Sequence, residues 1–224
     1  MMIRGGEFFD KKFFGSKVVY SGADFYGSTF TRCDVGQFED PEYSLVVRDF
    51  KISRCKIVDC SLQGVYFDKG VVEDVSISRG EVIYGCVFDQ VKLKGRVGAL
   101  LVTVPHFSQK NRDSMIDGII SRYESIEWAL DISEAQFVDV DLFGIPGDLI
   151  RHDGNTQVLI KRDLVESFYL NQPKKDVPIF ADVWMSRFEV SPFDHIICVA
   201  PRRSKRFSEY MRSIEWMHNK GLTV

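Results

Sequence analysis

The sequence predicts a mainly β fold in which the chain winds as a stack of square coils and ends in a mixed α/β C-terminal cap or small domain. Three observations predict it. An apolar residue recurs at every fifth position from residue 52 to 87, a series of mostly small or β-branched residues runs two positions ahead of it, and near residue 111 the period changes to that of a helix.

The larger series is Ile52, Ile57, Leu62, Phe67, Val72, Ile77, Val82 and Val87, and it is read as a structural ladder. The preceding series is Phe50, Cys55, Cys60, Val65, Gly70, Val75, Gly80 and Gly85. After Val87 the register is read as slipping by one, with Cys86, Phe88, Val91 and Leu93 continuing the pattern. Upstream, Ala23, Ser28 and Cys33 precede Phe25, Phe30 and Val35 in the same way. Residues 36 to 49, with Pro41, fit no single register and predict a loop or bulged coil.

Five residues at 3.6 per turn would advance each apolar residue about 140° round a helix and leave no common stripe. A meander of hairpins would need a turn every five residues, fewer than a strand plus its turn requires. The spacing therefore demands a corner in every pentad. Four corners close a coil of about 20 residues, and stacked coils pair their backbones about 4.8 Å apart. The larger residues then stack inside, and the preceding ones fill the corners, where free cysteines act as small buried hydrophobes.

A pattern of small residue, polar residue, Leu or Phe and two variable residues resembles the pentapeptide-repeat family. The segment Ala23–Gly27 (ADFYG) matches it closely; Phe50, Val65 and Val75 depart from it at the small position. The resemblance covers roughly residues 18 to 95. It implies a right-handed quadrilateral β-helix, and one branch of the family imitates DNA and protects DNA gyrase. That branch depends on a negative rod surface. Between Lys51 and Val87, however, Asp59, Asp68, Glu73, Asp74 and Glu81 are matched by Lys51, Arg54, Lys56, Lys69 and Arg79, so a DNA-mimic regulator of a topoisomerase is disfavoured.

From Asn111 to Ala129, Met115, Ile116, Ile119, Ile120, Tyr123 and Ile126 recur at helical spacing, with Ser114 and Asp117 resembling a start signal. Such a helix is expected to cover an open end of the rod, whose bare strand edges invite association. The five-residue pattern then returns: Leu130, Ala135, Val140 and Ile145 precede Ile132, Phe137, Leu142 and Gly147. This is either one further coil or a coincidence over a short stretch, and Ala135 before Phe137 repeats the logic of Ala23 before Phe25. Thr156 to Lys161 reads as a strand, Asp163 to Leu170 as a helix ended before Pro173, His195 to Val199 as a buried strand, and Ser204 to Asn219 as a closing helix stopped at Gly221. Residues 177 to 190 yield no single period. The organisation is thus a rod over 1–97, a helical excursion or cap over 98–129, a further coil over 130–147 unless the pattern there is coincidental, and a mixed α/β region over 148–224.

The net charge is -3 from 29 basic and 32 acidic residues, so no overall field marks the chain for nucleic acid or membrane, and charge-driven binding needs a local patch. No stretch approaches the roughly 18 apolar residues of a membrane span. The N-terminus has no signal-like apolar run, and a cytoplasmic location with five free thiols (Cys33, Cys55, Cys60, Cys86, Cys198) is the expectation.

No catalytic, cofactor-binding or metal-binding set is expected. His106, His152, His195 and His218 are scattered. Arg151, His152 and Asp153 fall in a polar turn, and Asp139, Asp141 and Asp148 take outward positions of a coil. The one local charge cluster is Arg202, Arg203, Ser204, Lys205 and Arg206 at the start of the closing helix. It is either a solvated turn paired with carboxylates such as Glu209, or an anion or partner patch for a phosphate, a nucleic-acid backbone or an acidic protein. The function expected is protein interaction or scaffolding without catalysis, with another protein as partner. The alternative is an enzyme or an anion- or nucleic-acid-binding function in the C-terminal region, with the rod as support.

Overall fold

The computed structural model describes residues 2–78, 81–171 and 176–224. Arg79, counted among the rod charges, Gly80, placed in the small series, and Pro173, placed as a helix stop, lie outside the described residues. Short parallel strands dominate, stacked in a manner compatible with a β-helix.

The first four strands are β1 (Met2–Arg4), β2 (Glu7–Phe9), β3 (Lys12–Phe14) and β4 (Val18–Ser21). β1, β2 and β3 begin three different parallel sheets, and β4 pairs with the first half of Leu45–Ser53, whose second half continues the side begun by β1. These four strands form one tier, and each has a parallel neighbour in the next. Ile3 lies opposite Phe25, Phe8 opposite Phe30, Phe13 opposite Val35 and Tyr20 opposite Val47. Lys51 then faces Val71, and Val71 faces Lys92, so with the step of 22 from Ile3 to Phe25 a tier takes 20 to 22 residues, close to four pentads. Between Asp24 and Lys51 the step is 27, and the extra seven residues form the loop around Pro41.

The corners account for the period. Asp49, Arg54, Asp59, Gly64, Lys69 and Asp74 are five apart, and all have φ between 50° and 65°. A left-handed residue turns the strand without adding a loop, and five of these six have accepted the cost it imposes on a side chain. Between corners, alternate residues point inward and stack. Phe8 lies on Phe30 with centroids 5.0 Å apart and planes at 10°, and Phe67 on Phe88 at 5.3 Å and 20°. Phe50, the large residue at a small position, is accommodated because Gly70 faces it in the next tier, where an added Cβ would meet its ring at 2.0 Å.

The ladder needs two corrections. Leu62 faces Ile83, not Val82, and Phe67 faces Phe88, not Val87. One extra residue between Ile77 and Ile83 shifts the register there, before Val82 rather than after Val87. Val82 and Val87 are on the outer side of their strands, and Gly85, placed in the small series, is a corner residue with φ 52°.

The two interruptions of the repeat pack on each other. α1 (Arg112–Tyr123) starts two residues before Ser114, and Asn111 gives it no side-chain cap. Met115, Ile119 and Tyr123 are buried. Instead of closing an end, α1 lies along the outside of the stack. The Phe88 N–H donates to the Tyr123 hydroxyl (3.2 Å), Arg122 lies over the Tyr66 ring, and buried Val87 sits beneath this cover. The Pro41 loop meets the same helix: Tyr43 Oη donates to the Met115 carbonyl (3.0 Å), and Arg122 Nε to that of Glu42 (2.9 Å).

Residues 130–141 add to the stack, with Leu130–Gln136 parallel to Val87–Arg96 and Asp139–Asp141 parallel to Ala99–Thr103. Phe137 and Leu142 are each 1% exposed. Beyond them stands a second core around an antiparallel pair, Gln157–Lys161 with His195–Val199, flanked by α2 (Arg162–Asn171), α3 (Ile179–Ser186) and α4 (Phe207–Asn219). This unit seals the C-terminal end of the stack. Ile150–Arg151 pairs with Leu130–Asp131, Arg203 N–H donates to the Phe137 carbonyl, and Gln157 Nε2 donates to that of Ile132.

Candidate interaction surface

The two ends of the stack differ. At the first tier no described strand pairs with the outer edges of β1, β2, β3 or β4. Every second N–H and C=O of such an edge points outward, ready to pair with another backbone. Around these edges Met2, Phe9, Phe13, Phe14, Val19, Tyr20 and Phe38 are all exposed. Phe13 packs edge-on against Tyr20, centroids 5.8 Å apart, and Phe14 lies 5.8 Å from Phe38. Between Phe14 and Phe38 runs a groove of about 460 Å3, bordered by Ser16, Lys17, Gln37 and Asp40.

The local sequence causes this exposure. Ile3, Phe8 and Phe13 are five apart and take inward positions, so the repeat begins a full tier earlier than residue 18. In Phe8–Phe9 and Phe13–Phe14 successive side chains of a strand point to opposite faces, so one ring of each doublet must go outside. Phe9 and Phe14 are those rings, 50% and 52% exposed. Doubled phenylalanines at pentad spacing were the signal for this surface, and the expectation of a helical end cover hid it.

Charge at this end is largely internal. Arg32 holds Asp10 in a bidentate pair of 2.7 and 2.8 Å, which lowers the Asp10 pKa. Lys12 is 3.9 Å from Asp34. Burial would raise Asp40, but the Ser44 hydroxyl and the N–H groups of Ser44 and Glu42, with Lys17 nearby, lower it on balance.

The basic cluster is arranged differently from an open anion patch. Arg202 pairs with Asp153 at 2.8 Å, and Arg206 holds Glu209 at 2.7 Å while lying over the Phe180 ring. α4 begins at Phe207, three residues later than expected, so Ser204 is not its cap; its hydroxyl accepts the Arg206 N–H. Arg203 and Lys205 are exposed. Asp153 also accepts from the N–H groups of Asn155 and Thr156, and these bonds with Arg202 outweigh burial and lower its pKa. Arg151 stacks on Trp128, so the Arg151–Asp153 turn ties segments together.

A second cleft, about 340 Å3, lies between Ala99–Leu101 and the α3–α4 pair, with Asp139, Asp141, Trp184 and Tyr210 in its wall. Burial raises the Asp141 pKa, against the pull of Arg187 at 2.7 Å. The histidines are dispersed: His106 meets Ser108, His152 the Ile150 carbonyl, His195 Asp148 at 3.6 Å, and His218 Thr223. Cys55, Cys86 and Cys198 are buried thiols whose pKa burial raises, to about 12 for Cys86. Along the rod, Arg48 pairs with Asp68 and Lys94 with Glu73 in adjacent tiers. Among the described residues no helix is long and apolar enough to cross a membrane. Comparison with protein-family models, with curated proteins and with solved structures finds no match.

Proposed function

We propose that the chain is a pentapeptide-type rod, a right-handed quadrilateral β-helix, that works without catalysis as a protein-interaction module through its first tier. The left-handed corner at every fifth residue supports the fold reading. What carries the functional reading is the coincidence, among the described residues, of four unpaired strand edges with seven exposed large apolar residues at one end. Exposed apolar patches of more than a few hundred Å2 mark interaction sites, and open edges supply directional bonds that only a polypeptide backbone matches in series.

A photo-cross-linking amino acid at position 14 tests this in producing cells, with the same group at position 56, mid-rod, as control. Discrete protein adducts from position 14 and none from position 56 are expected. Equal labelling from both sites, or none from position 14, would reject the first tier as the docking face.

A further inference from the structure

Taking the first tier to be the docking face, we infer that its partner is a second copy of this chain, seated end to end about a two-fold axis. The shape of the surface argues for this occupant. A single added strand would satisfy one of four edges and leave three bare; a second first tier presents four edges in the same square. A two-fold axis across the rod reverses the sense of winding in the second copy, so each edge meets an edge of that copy antiparallel, two of them meeting themselves and the other two exchanging. Such an interface is isologous and closes at two copies.

The inward residues agree. Ile3, Phe8 and Phe13 stack on the next tier on one side only, and Phe13 remains 44% exposed although it occupies a core position. Two such ends in contact would make one continuous core.

Area and charge decide whether the contact can hold. Five rings (Phe9, Phe13, Phe14, Tyr20 and Phe38) are between 38% and 52% exposed. At roughly 200 Å2 per ring they expose about 460 Å2 per copy, so two copies, with Met2 and Val19, present about 1,000 Å2 of apolar surface, which when fully covered is the lower bound of a specific interface. With Asp10 on Arg32, Lys12 near Asp34 and Glu42 near Arg122, the remaining charges in residues 2–21 and 37–42 are Arg4, Lys11 and Lys17 against Glu7, Glu39 and Asp40. No net charge opposes a second copy.

Sedimentation velocity on the full chain over a range of concentrations tests the inference. The expected result is a reversible dimer of twice the 25.7 kDa chain, with a dissociation constant on the order of micromolar. Phe14→Lys with Val19→Lys, both at exposed outward positions, should weaken it more than about tenfold while the circular dichroism and melting curve are kept. Ile179→Lys, at an exposed position of α3, should leave it unchanged. A wild-type chain that stays monomeric to about 100 µM overturns self-pairing, as does a dimer that ignores the double variant but responds to Ile179→Lys. Adducts from position 14 with other proteins, in a chain that stays monomeric, would overturn the second copy while leaving the first tier as a docking face.

Discussion

Replacing Ile83 or Val82 by alanine separates the two registers the sequence allows. Ile83 is 8% exposed and stands in the ladder between Leu62 and Val102, whereas Val82 is half-buried on the outer side beside Leu101. Truncating a buried Ile to Ala costs about 2 to 5 kcal/mol, the loss of transfer energy plus the cavity left behind. Ladder neighbours held at the strand spacing cannot collapse fully into the gap, so about 3 kcal/mol is expected. With a urea dependence of about 2 kcal/mol per molar, the midpoint should fall by about 1.5 M. Val82→Ala removes two methyls from a surface that keeps water, and should cost about 1 kcal/mol at most, or under about 0.5 M. Urea unfolding followed by far-ultraviolet circular dichroism reads both. Equal shifts, or a larger one for Val82→Ala, would refute the register and restore the ladder without its extra residue.

The remaining predictions concern corners, buttress and cap. Lys69 holds φ 54°, so Lys69→Gly should leave stability unchanged or raise it by up to about 1 kcal/mol, while Lys69→Val should lower it; thermal melts of the pair check this. Gly118→Ala should destabilise by about 1 to 3 kcal/mol despite the better helix propensity of Ala, because its Cβ would sit 2.1 Å from the Pro41 carbonyl oxygen; faster amide exchange in α1 and residues 37–44 is the readout. Asp153 has a depressed pKa in the fold, so its contribution is complete above its unfolded value, near 3.8, and is lost as pH falls through the lower folded value. Arg202→Ala should therefore move acid unfolding to higher pH and cost about 1 kcal/mol or less at neutral pH. Arg203→Ala should change neither, and acid titrations of the two variants separate them.

How much was legible depended on whether a residue's place follows from the period alone. The corner every five residues and the inward ladder from Ile52 to Ile77 rest on spacing, and the strand pairings there follow it; of the pattern read at 130–147, residues 130–136 and 139–141 pair with the stack. The shift before Ile83 was hidden because Val82 and Ile83 are both apolar, and because Gly85, a corner residue, imitates the small series. The path of α1 could not be read either. Its apolar face fits an end or a side equally well, and the choice lies in Gly118 and Tyr43, which meet α1 and the Pro41 loop across more than seventy residues. The pairing of Arg206 with Glu209 was foreseeable from their spacing; that of Arg202 with Asp153 was not, since it depends on how the C-terminal core folds back.

Hydrogen exchange measured by mass spectrometry, with the chain dilute and then concentrated, tests most directly whether the first tier is where this protein pairs with a second copy of itself. Slower exchange on concentration, confined to residues 2–21 and the neighbouring Phe38 segment, is the expected result. Identical exchange in both conditions, or new protection located instead in α3 and α4, would contradict it.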